Sequence, residues 1–430
     1  MNRAALAWEL GLVACGSVFT QPSFVLFREL ACAWVLCPGR RTVTGMIRTI
    51  EPHRRRPHDA YHRLLRAGAW SLSQLWRLLV LRLVDGLAPE GLLLLDLDDT
   101  LFHKTGRKID GAGIFRDAVR SSLGAVVYAR GLNLVVLTLR IQPPWGGEPL
   151  ALPINLRLYR KGGPSHLDLA EQMIDEIAEW LPARRFRLAC DGAYASLAGR
   201  SLPRTHVTSR LRRDAALYDP APPRRKRQRG RPRKKGRRLP TPEQMARRRK
   251  GWVRAEVDER GKTVERLLLC CPVLWYAVCP DRRVLLVIVR DPDGRQPDDF
   301  FFTTDLEASA ADVAAHYAGR WAIEDTFRNV KQVLGGEDPQ SWKGQAPERS
   351  AALSLWLYSV VWCWYVRTQG TKPRWVSLPW YPSKHTPSFA DALASLRRVL
   401  WRESVFSKYD RRPLPPKTVE ALLDALARAA

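Results

Sequence analysis

Cysteine offers this chain little chemistry. The eight cysteines (Cys15, Cys32, Cys37, Cys190, Cys270, Cys271, Cys279 and Cys363) include no C-x-x-C pair and no ordered spacing with histidine. A zinc site is therefore not expected, and free thiols suit a reducing compartment. Negative charge is also in short supply. Against 70 Lys plus Arg stand 43 Asp plus Glu, a formal charge of +27, which points to a polyanionic partner. Nucleic acid is the expected one and an anionic membrane surface the rival. Long apolar runs are scarce too. Only 10–27 and 350–366 are uncharged over such a length, and both sit at the lower limit of about 17 to 25 residues for a bilayer crossing. The first is broken by Thr20, Gln21, Pro22 and Ser23, and the second is rich in Trp and Tyr, so both read as buried helices. The opening Met1–Arg3 and AALAW imitate a signal peptide, but Glu9 interrupts the apolar stretch, and a cytoplasmic location is expected. No internal repeat is present.

The chain is long enough for two or three folding units. Residues 1–88 read as a helical region, with apolar residues recurring in VLFRELACAWVLC and LWRLLVLRLV. At the break PGRRTVTG, Arg40, Arg41 and Thr44 suit a phosphate, and a turn capped by Thr42 or Thr44 suits the same residues. GLLLLDLDDT (91–100) reads as a buried strand delivering carboxylates from its end. VVYAR and LNLVVLTLRI follow as two strands joined by a tight turn at Arg130 and Gly131, hence antiparallel. A further strand, PLALPINLRLY, a helix over 166–180 and a strand ending at Asp191 complete the segment 89–204.

Composition changes between 205 and 300. Eleven of the fifteen residues from Arg224 to Arg238 are Arg or Lys, spaced by Gly and Pro, and no core can form there. Arg229-Gly230-Arg231-Pro232 resembles an AT-hook, whose arginines lie along a narrow minor groove. Arg229, Arg231, Arg233 and Lys234 are the expected DNA contacts of this run. A plain polybasic linker is the other reading. Three strand-like runs follow, making a small β insertion. FFFTTDL is a last strand, residues 301–370 hold a further helix pair, and 371–430 read as a C-terminal helical region.

The most informative stretch is YAGRWAIEDTFRNVK, residues 317–331. On a single helix over 309–334, at about 100° per residue, Tyr317, Arg320, Trp321, Glu324, Arg328 and Lys331 share roughly one quadrant. Ala322, Ile323, Phe327, Val330 and Leu334 take the other side. A single carboxylate thus lies in a row of cations and aromatics, where a solvated helix would scatter both signs.

The spacing Tyr-x2-Arg-x3-Glu-x6-Lys, complete at Tyr317, Arg320, Glu324 and Lys331, resembles the signature of bacterial insertion-sequence transposases of the DDE class. The resemblance implies an α/β, ribonuclease H-like catalytic core interrupted by a β-rich insertion and flanked by helical regions. It implies Asp98 as first acid, Asp191 in DGAYA as second and Glu324 as third, together holding Mg²⁺, with Mn²⁺ substituting. It places Lys104, in DDTLFHKTGRKIDGAG, near a phosphate. Arg320, Arg328 and Lys331 would neutralise the DNA backbone, and Tyr317 and Trp321 would stack on a displaced base. The implied partners are double-stranded element ends and target DNA, bound by a homodimer near the nucleoid, with no membrane. Two Mg²⁺ about 3.5 to 4 Å apart activate a water or 3′-hydroxyl and stabilise the leaving oxygen, and a few carboxylates suffice to hold them.

LLLLDLDDTL also fits the first motif of haloacid dehalogenase-like phosphohydrolases, with Asp96 as nucleophile and Asp98 as its acid/base partner. The antiparallel link, the basic run and the Tyr-Arg-Glu-Lys row all speak against it. A DNA-binding protein without chemistry would leave three well-placed acids without a purpose.

Overall fold

Among the described residues, five α-helices precede the first strand. The structure, a computed structural model, describes residues 2–50, 55–122, 124–223, 231–377, 379–403 and 415–429. The first helices are α1 (Arg3–Val13), α2 (Gln21–Leu36), α3 (Val43–Arg48), α4 (His58–Ala67) and α5 (Leu72–Leu87). The break before α3 is a capped turn. The Thr42 hydroxyl accepts from the Gly45 amide at 3.0 Å, Arg41 is buried, and Thr44 faces His58 Nε2 at 3.0 Å. The uncharged run 10–27 is divided between α1 and α2, and no helix among the described residues is long and apolar enough to cross a membrane.

Ten strands form one mixed sheet. They are β1 (Leu93–His103), β2 (Gly113–Arg116), β3 (Tyr128–Ile141), β4 (Leu150–Tyr159), β5 (Phe186–Cys190), β6 (Thr205–Arg210), β7 (Val253–Glu259), β8 (Lys262–Val273), β9 (Val284–Arg290) and β10 (Asp299–Thr303). Helix α6 (His166–Trp180) lies between β4 and β5, starting on a Ser165–Asp168 capping box, and short α7 (Pro242–Ala246) precedes β7. The order is β2-β3-β1-β5-β6-β10-β9-β8-β7, with β4 pairing the same edge of β3 as β2, away from β1. Strands β5 and β6 run parallel to β1, and the other pairings are antiparallel. The strands of 253–290 therefore extend the central sheet through β10.

No turn occurs at Arg130 and Gly131, contrary to the expectation from the sequence. Both lie inside the fourteen-residue β3. Glycine serves a close approach here: a Cβ on Gly131 would stand 2.3 Å from the Phe102 carbonyl oxygen on β1. Glycine inside a strand pattern signals such an approach as often as a turn. The expected antiparallel pair of VVYAR with LNLVVLTLRI is therefore absent, since the two runs are one strand; the antiparallel neighbour of β3 is β1, from Leu94↔Arg140 to His103↔Gly131.

Four helices complete the chain after α8 (Ala310–Gly319): α9 (Ala322–Gln332), α10 (Ala346–Gln369), α11 (Phe389–Trp401) and α12 (Pro416–Arg428). The single helix expected over 309–334 is thus two, joined at Arg320 and Trp321. Amides at this joint bond three residues back, Arg320 to Tyr317 at 3.1 Å, Ile323 to Arg320 at 3.0 Å and Glu324 to Trp321 at 3.0 Å. Such bonds tighten the turn. Gly319 permits it beside the sheet, where a Cβ would stand 2.4 Å from Arg140 Nη1. Two hydroxyls then fasten the helices to β4: Thr326 of α9 donates to Ala151 O at 2.7 Å, and Ser359 of α10 to Pro153 O at 2.7 Å. The buried side of α10, with Trp356, Leu357, Val361 and Tyr365, joins the sheet and α1–α5 in one core.

Candidate acidic site and nucleic-acid interface

Strand alternation sorts the acids of β1. Asp96 and Asp98 face the side of α8 and α9, where their partners are Arg140 and Arg320. Asp99 faces the other side, where the Tyr194 hydroxyl donates to it at 3.2 Å. Parallel pairing of β1 with β5 ends at Leu97↔Cys190. Asp98 and Asp191 are the residues that directly follow this last pair, so the register alone brings them together. Asp191 caps the short 3₁₀ turn Gly192–Gly199, accepting the Ala193 amide at 2.9 Å, while the Ser209 hydroxyl donates to the Asp191 carbonyl at 2.7 Å.

Glu324 enters from α9 and is tied to β1 by one side chain. Arg320 donates from Nη1 to Asp98 Oδ2 at 2.7 Å and from Nη2 to Glu324 Oε1 at 3.0 Å. Its own side chain is only 9 % exposed, and its Nε has no hydrogen-bond partner among the described residues. Burial pushes the Asp98 carboxyl up to about 7; Arg320 opposes this, and Asp191 and Asp99 add to it. Burial likewise raises Asp99. Acidic side chains here outnumber the cation that serves them.

Asp96 has a different role. It is fully buried, and both its oxygens are engaged by Arg140, Oδ2 receiving Nε at 3.0 Å and Oδ1 receiving Nη2. Arg140 Nη1 continues to the His316 carbonyl at 2.8 Å. An acid so held is a fastener between the sheet and the end of α8, next to the Arg320 joint. With no exposed surface and both oxygens held by Arg140, Asp96 is not placed to attack a substrate.

The joint distributes the remaining residues of the row. Tyr317 is buried, stacked on Phe301 at 4.4 Å, with the guanidinium carbons of Arg320 and Arg210 5.5 and 5.8 Å from its ring. Trp321 is 47 % exposed, and Arg260, at the tip of the β7–β8 hairpin, covers its ring at 5.6 Å. Arg260 also reaches Glu148 at 3.1 Å and Asp325 at 3.6 Å. Arg328 is exposed and paired with Asp325. Lys331 lies over the Phe102 ring at 5.8 Å, its ammonium pulled down by burial. Lys104 is buried and donates to the carbonyls of Glu337 at 2.6 Å and Pro339 at 3.0 Å. The phosphate contact implied for Lys104 therefore has no support in its surroundings, because its ammonium is committed to backbone. His103 beside it bridges Asp117 at 2.8 Å and Glu337 at 3.2 Å.

In the basic run, Arg229 lies outside the described residues, whereas Arg231, Arg233 and Lys234 are exposed. The C-terminal end of the run packs back on Tyr218 and Asp219. Tyr218 bridges Arg238 and Leu274, the Asp219 amide donates to Arg237 O at 2.9 Å, and Lys235 Nζ sits 4.1 Å from the Tyr218 ring centre. Arg140, Tyr194, Arg210 and Arg260 were not singled out from the sequence.

Asp98, Asp191 and Glu324 offer only carboxylate oxygen, the donor type that Mg²⁺ and Mn²⁺ prefer. One guanidinium touching both Asp98 and Glu324 shows that a single cationic body spans those two acids. As they stand, no three His, Cys, Asp or Glu among the described residues form a ready ligand cluster. The set fits a divalent cation in chemistry and in excess negative charge, with Arg320 standing where positive charge is needed.

A comparison with curated proteins finds no match. A family model described as DDE superfamily endonuclease matches residues 27–266, a stretch that contains Asp98 and Asp191 and ends before α9. That match spans more than half of the chain and agrees with acids gathered at the end of a parallel strand pair; the chain belongs to the DDE superfamily endonuclease family.

Proposed function

We propose that this endonuclease is a DNA transposase, which binds the ends of a mobile element and carries out metal-dependent strand cleavage and strand transfer. The observation that carries the reading is the Arg320 bridge. It joins Asp98 of the central strand to Glu324 of a helix more than two hundred residues later, within the Tyr-Arg-Glu-Lys spacing. The order β4-β3-β1-β5-β6, an antiparallel meander followed by two strands parallel to β1, supports a ribonuclease H-like core.

Asp98, Asp191 and Glu324 would hold Mg²⁺ or Mn²⁺, which, when bound, supplies an activated water or 3′-hydroxyl and a stabilised leaving oxygen. The chain's own groups prepare the rest. The Asp96–Arg140 pair keeps β1 and α8 in register, so that Asp98 and Glu324 converge. Exposed Trp321, backed by Arg260, offers a flat face to a base. Arg328 and the exposed cations of the basic run bind phosphates, and DNA is the substrate on both sides of the reaction. A phosphohydrolase using Asp96 gains no support from an acid whose two oxygens are occupied by Arg140.

The test is cleavage of duplexes carrying the DNA that flanks the gene. Asp98→Asn, Asp191→Asn and Glu324→Gln are each expected to lose cleavage by about three orders of magnitude or more while retaining binding. Cleavage in EDTA, or a Glu324→Gln protein at the parental rate, would remove the metal mechanism. Binding without cleavage in the unaltered protein would favour a DNA-binding protein without chemistry.

A further inference from the structure

Arg320 is an unusual neighbour for two acids assigned to a metal. It is buried, it rises from the joint between α8 and α9, and it spends its two terminal nitrogens on Asp98 and Glu324. A guanidinium left between two such carboxylates occupies the electrostatic position of a cation. Asp98 and Glu324 share this guanidinium, and the strand register sets Asp191 beside Asp98. Asp96 is already served by Arg140, so Arg320 is the cation paired with Asp98 and Glu324. Removing Arg320 without replacing its charge would leave two partly buried carboxylates uncompensated, which is costly.

We propose that Arg320 is a placeholder for the divalent cation: in the free protein it holds Asp98 and Glu324 together, and it yields them only when a DNA phosphate draws its guanidinium away. This rests on the metal-dependent reading above and specifies how that site is regulated. Arg210, paired with Asp299 at 3.1 Å, also lies against the Tyr317 ring, 5.8 Å from its centre against 5.5 Å for Arg320, so a DNA phosphate seated near that ring would meet a second cation to help hold it. Arginine drawn to that phosphate leaves two acids in want of positive charge, so cation affinity rises. Coupling of this kind is reciprocal: bound cation must tighten DNA to the same factor. Arg320 thereby acts as a positioning residue whose loss is expected to strengthen one binding event, which a merely structural ion pair would not do.

The experiment is Mn²⁺ titration of the full-length protein, followed by electron paramagnetic resonance or calorimetry. The protein is taken free and bound to a duplex made uncleavable by a phosphorothioate at the scissile position. The unaltered protein should bind Mn²⁺ about tenfold or more tightly with the duplex than without it. Arg320→Gln should bind Mn²⁺ tightly without DNA and lose most of that coupling, and adding Asp98→Asn to it should abolish the tight binding. Equal Mn²⁺ affinity with and without duplex in the unaltered protein overturns the proposal, and this arm needs no variant to fold. So does a folded Arg320→Gln protein, checked by circular dichroism, that binds Mn²⁺ no more tightly than its parent. Failure of the metal site itself looks different: no form, free or on DNA, would bind Mn²⁺ in a manner sensitive to Asp98→Asn.

Discussion

Arg140 closes on Asp96 with two of its nitrogens and spends the third on the His316 carbonyl. One buried side chain thus connects β3, β1 and the end of α8, and the next helical turn carries Arg320. Breaking a buried pair by removing one charge costs about 3–5 kcal/mol, since the survivor is left uncompensated. Asp96→Asn is expected to lose stability on that scale and to keep a measurable fraction of cleavage below its lowered melting point. Denaturant unfolding alongside a cleavage assay checks both parts. A fully folded Asp96→Asn protein with no activity would instead give Asp96 a chemical role.

Gly131 sets how closely β1 and β3 can lie. Any side chain there must displace the Phe102 carbonyl, 2.3 Å from the position of its first carbon. Backbone cannot yield as a flexible side chain does. Gly131→Val should therefore destabilise the protein by more than the usual about 1 kcal/mol of a point substitution, despite valine's preference for strands. A melting temperature equal to the parent's would contradict the close approach.

That glycine also shows what could be read in the sequence and what could not. Helix 166–180 stands where expected, and the strand expected to end at Asp191 ends one residue earlier, at Cys190. Local pattern cannot tell a glycine that turns the chain from one that admits a neighbouring strand, so β3 read as two strands. The Tyr-Arg-Glu-Lys spacing led to Glu324, but regular helical periodicity missed the tightened joint at Arg320, which depends on Gly319 lying against Arg140. Arg140 itself carried one legible signal, a lone cation in the apolar run LNLVVLTLRI. Its partner could be known only from the β1–β3 register. The likeness of DDTLFHKTGRKIDGAG to a family motif places Lys104 near a phosphate, and such a likeness says nothing of where a long side chain ends, here on the Glu337 and Pro339 carbonyls.

The exposed cations of the basic run should appear in the salt dependence of DNA binding. Replacing Arg231, Arg233, Lys234, Arg237 and Arg238 by glutamine, while keeping Lys235 on the Tyr218 ring, removes five charges and, at the base of the loop, the exposed Arg237–Asp219 ion pair. Each neutralised phosphate contributes about 0.9 to the slope of log affinity against log salt. The slope is expected to flatten by about 4.5 if all five reach DNA, with cleavage chemistry at saturating DNA unchanged. An unaltered slope would mean that the loop points away from the duplex.

Lys104 provides a test in pH. Its ammonium is buried against the Glu337 and Pro339 carbonyls, and burial brings it from the ordinary 10.5 down to about 8. Below pH 8 both folded and unfolded chains carry the proton, and the penalty of burying the charge is present in full. Between about 8 and 10.5 the folded chain has released its proton while the unfolded chain still binds it, so unfolding free energy rises with pH in that window. The gain is at most about 3 kcal/mol, and less to the extent that the two carbonyls favour the charged form. Other lysines and tyrosines titrate in the same range, so the comparison must be made against Lys104→Met, which keeps the stem and loses the charge. The stability difference, parent minus variant, should climb in favour of the parent from pH 8 to 10. If denaturant unfolding at pH 7, 8, 9 and 10 gives a constant difference, the Lys104 ammonium keeps its ordinary affinity for the proton, and its burial against the two carbonyls costs nothing that pH can relieve.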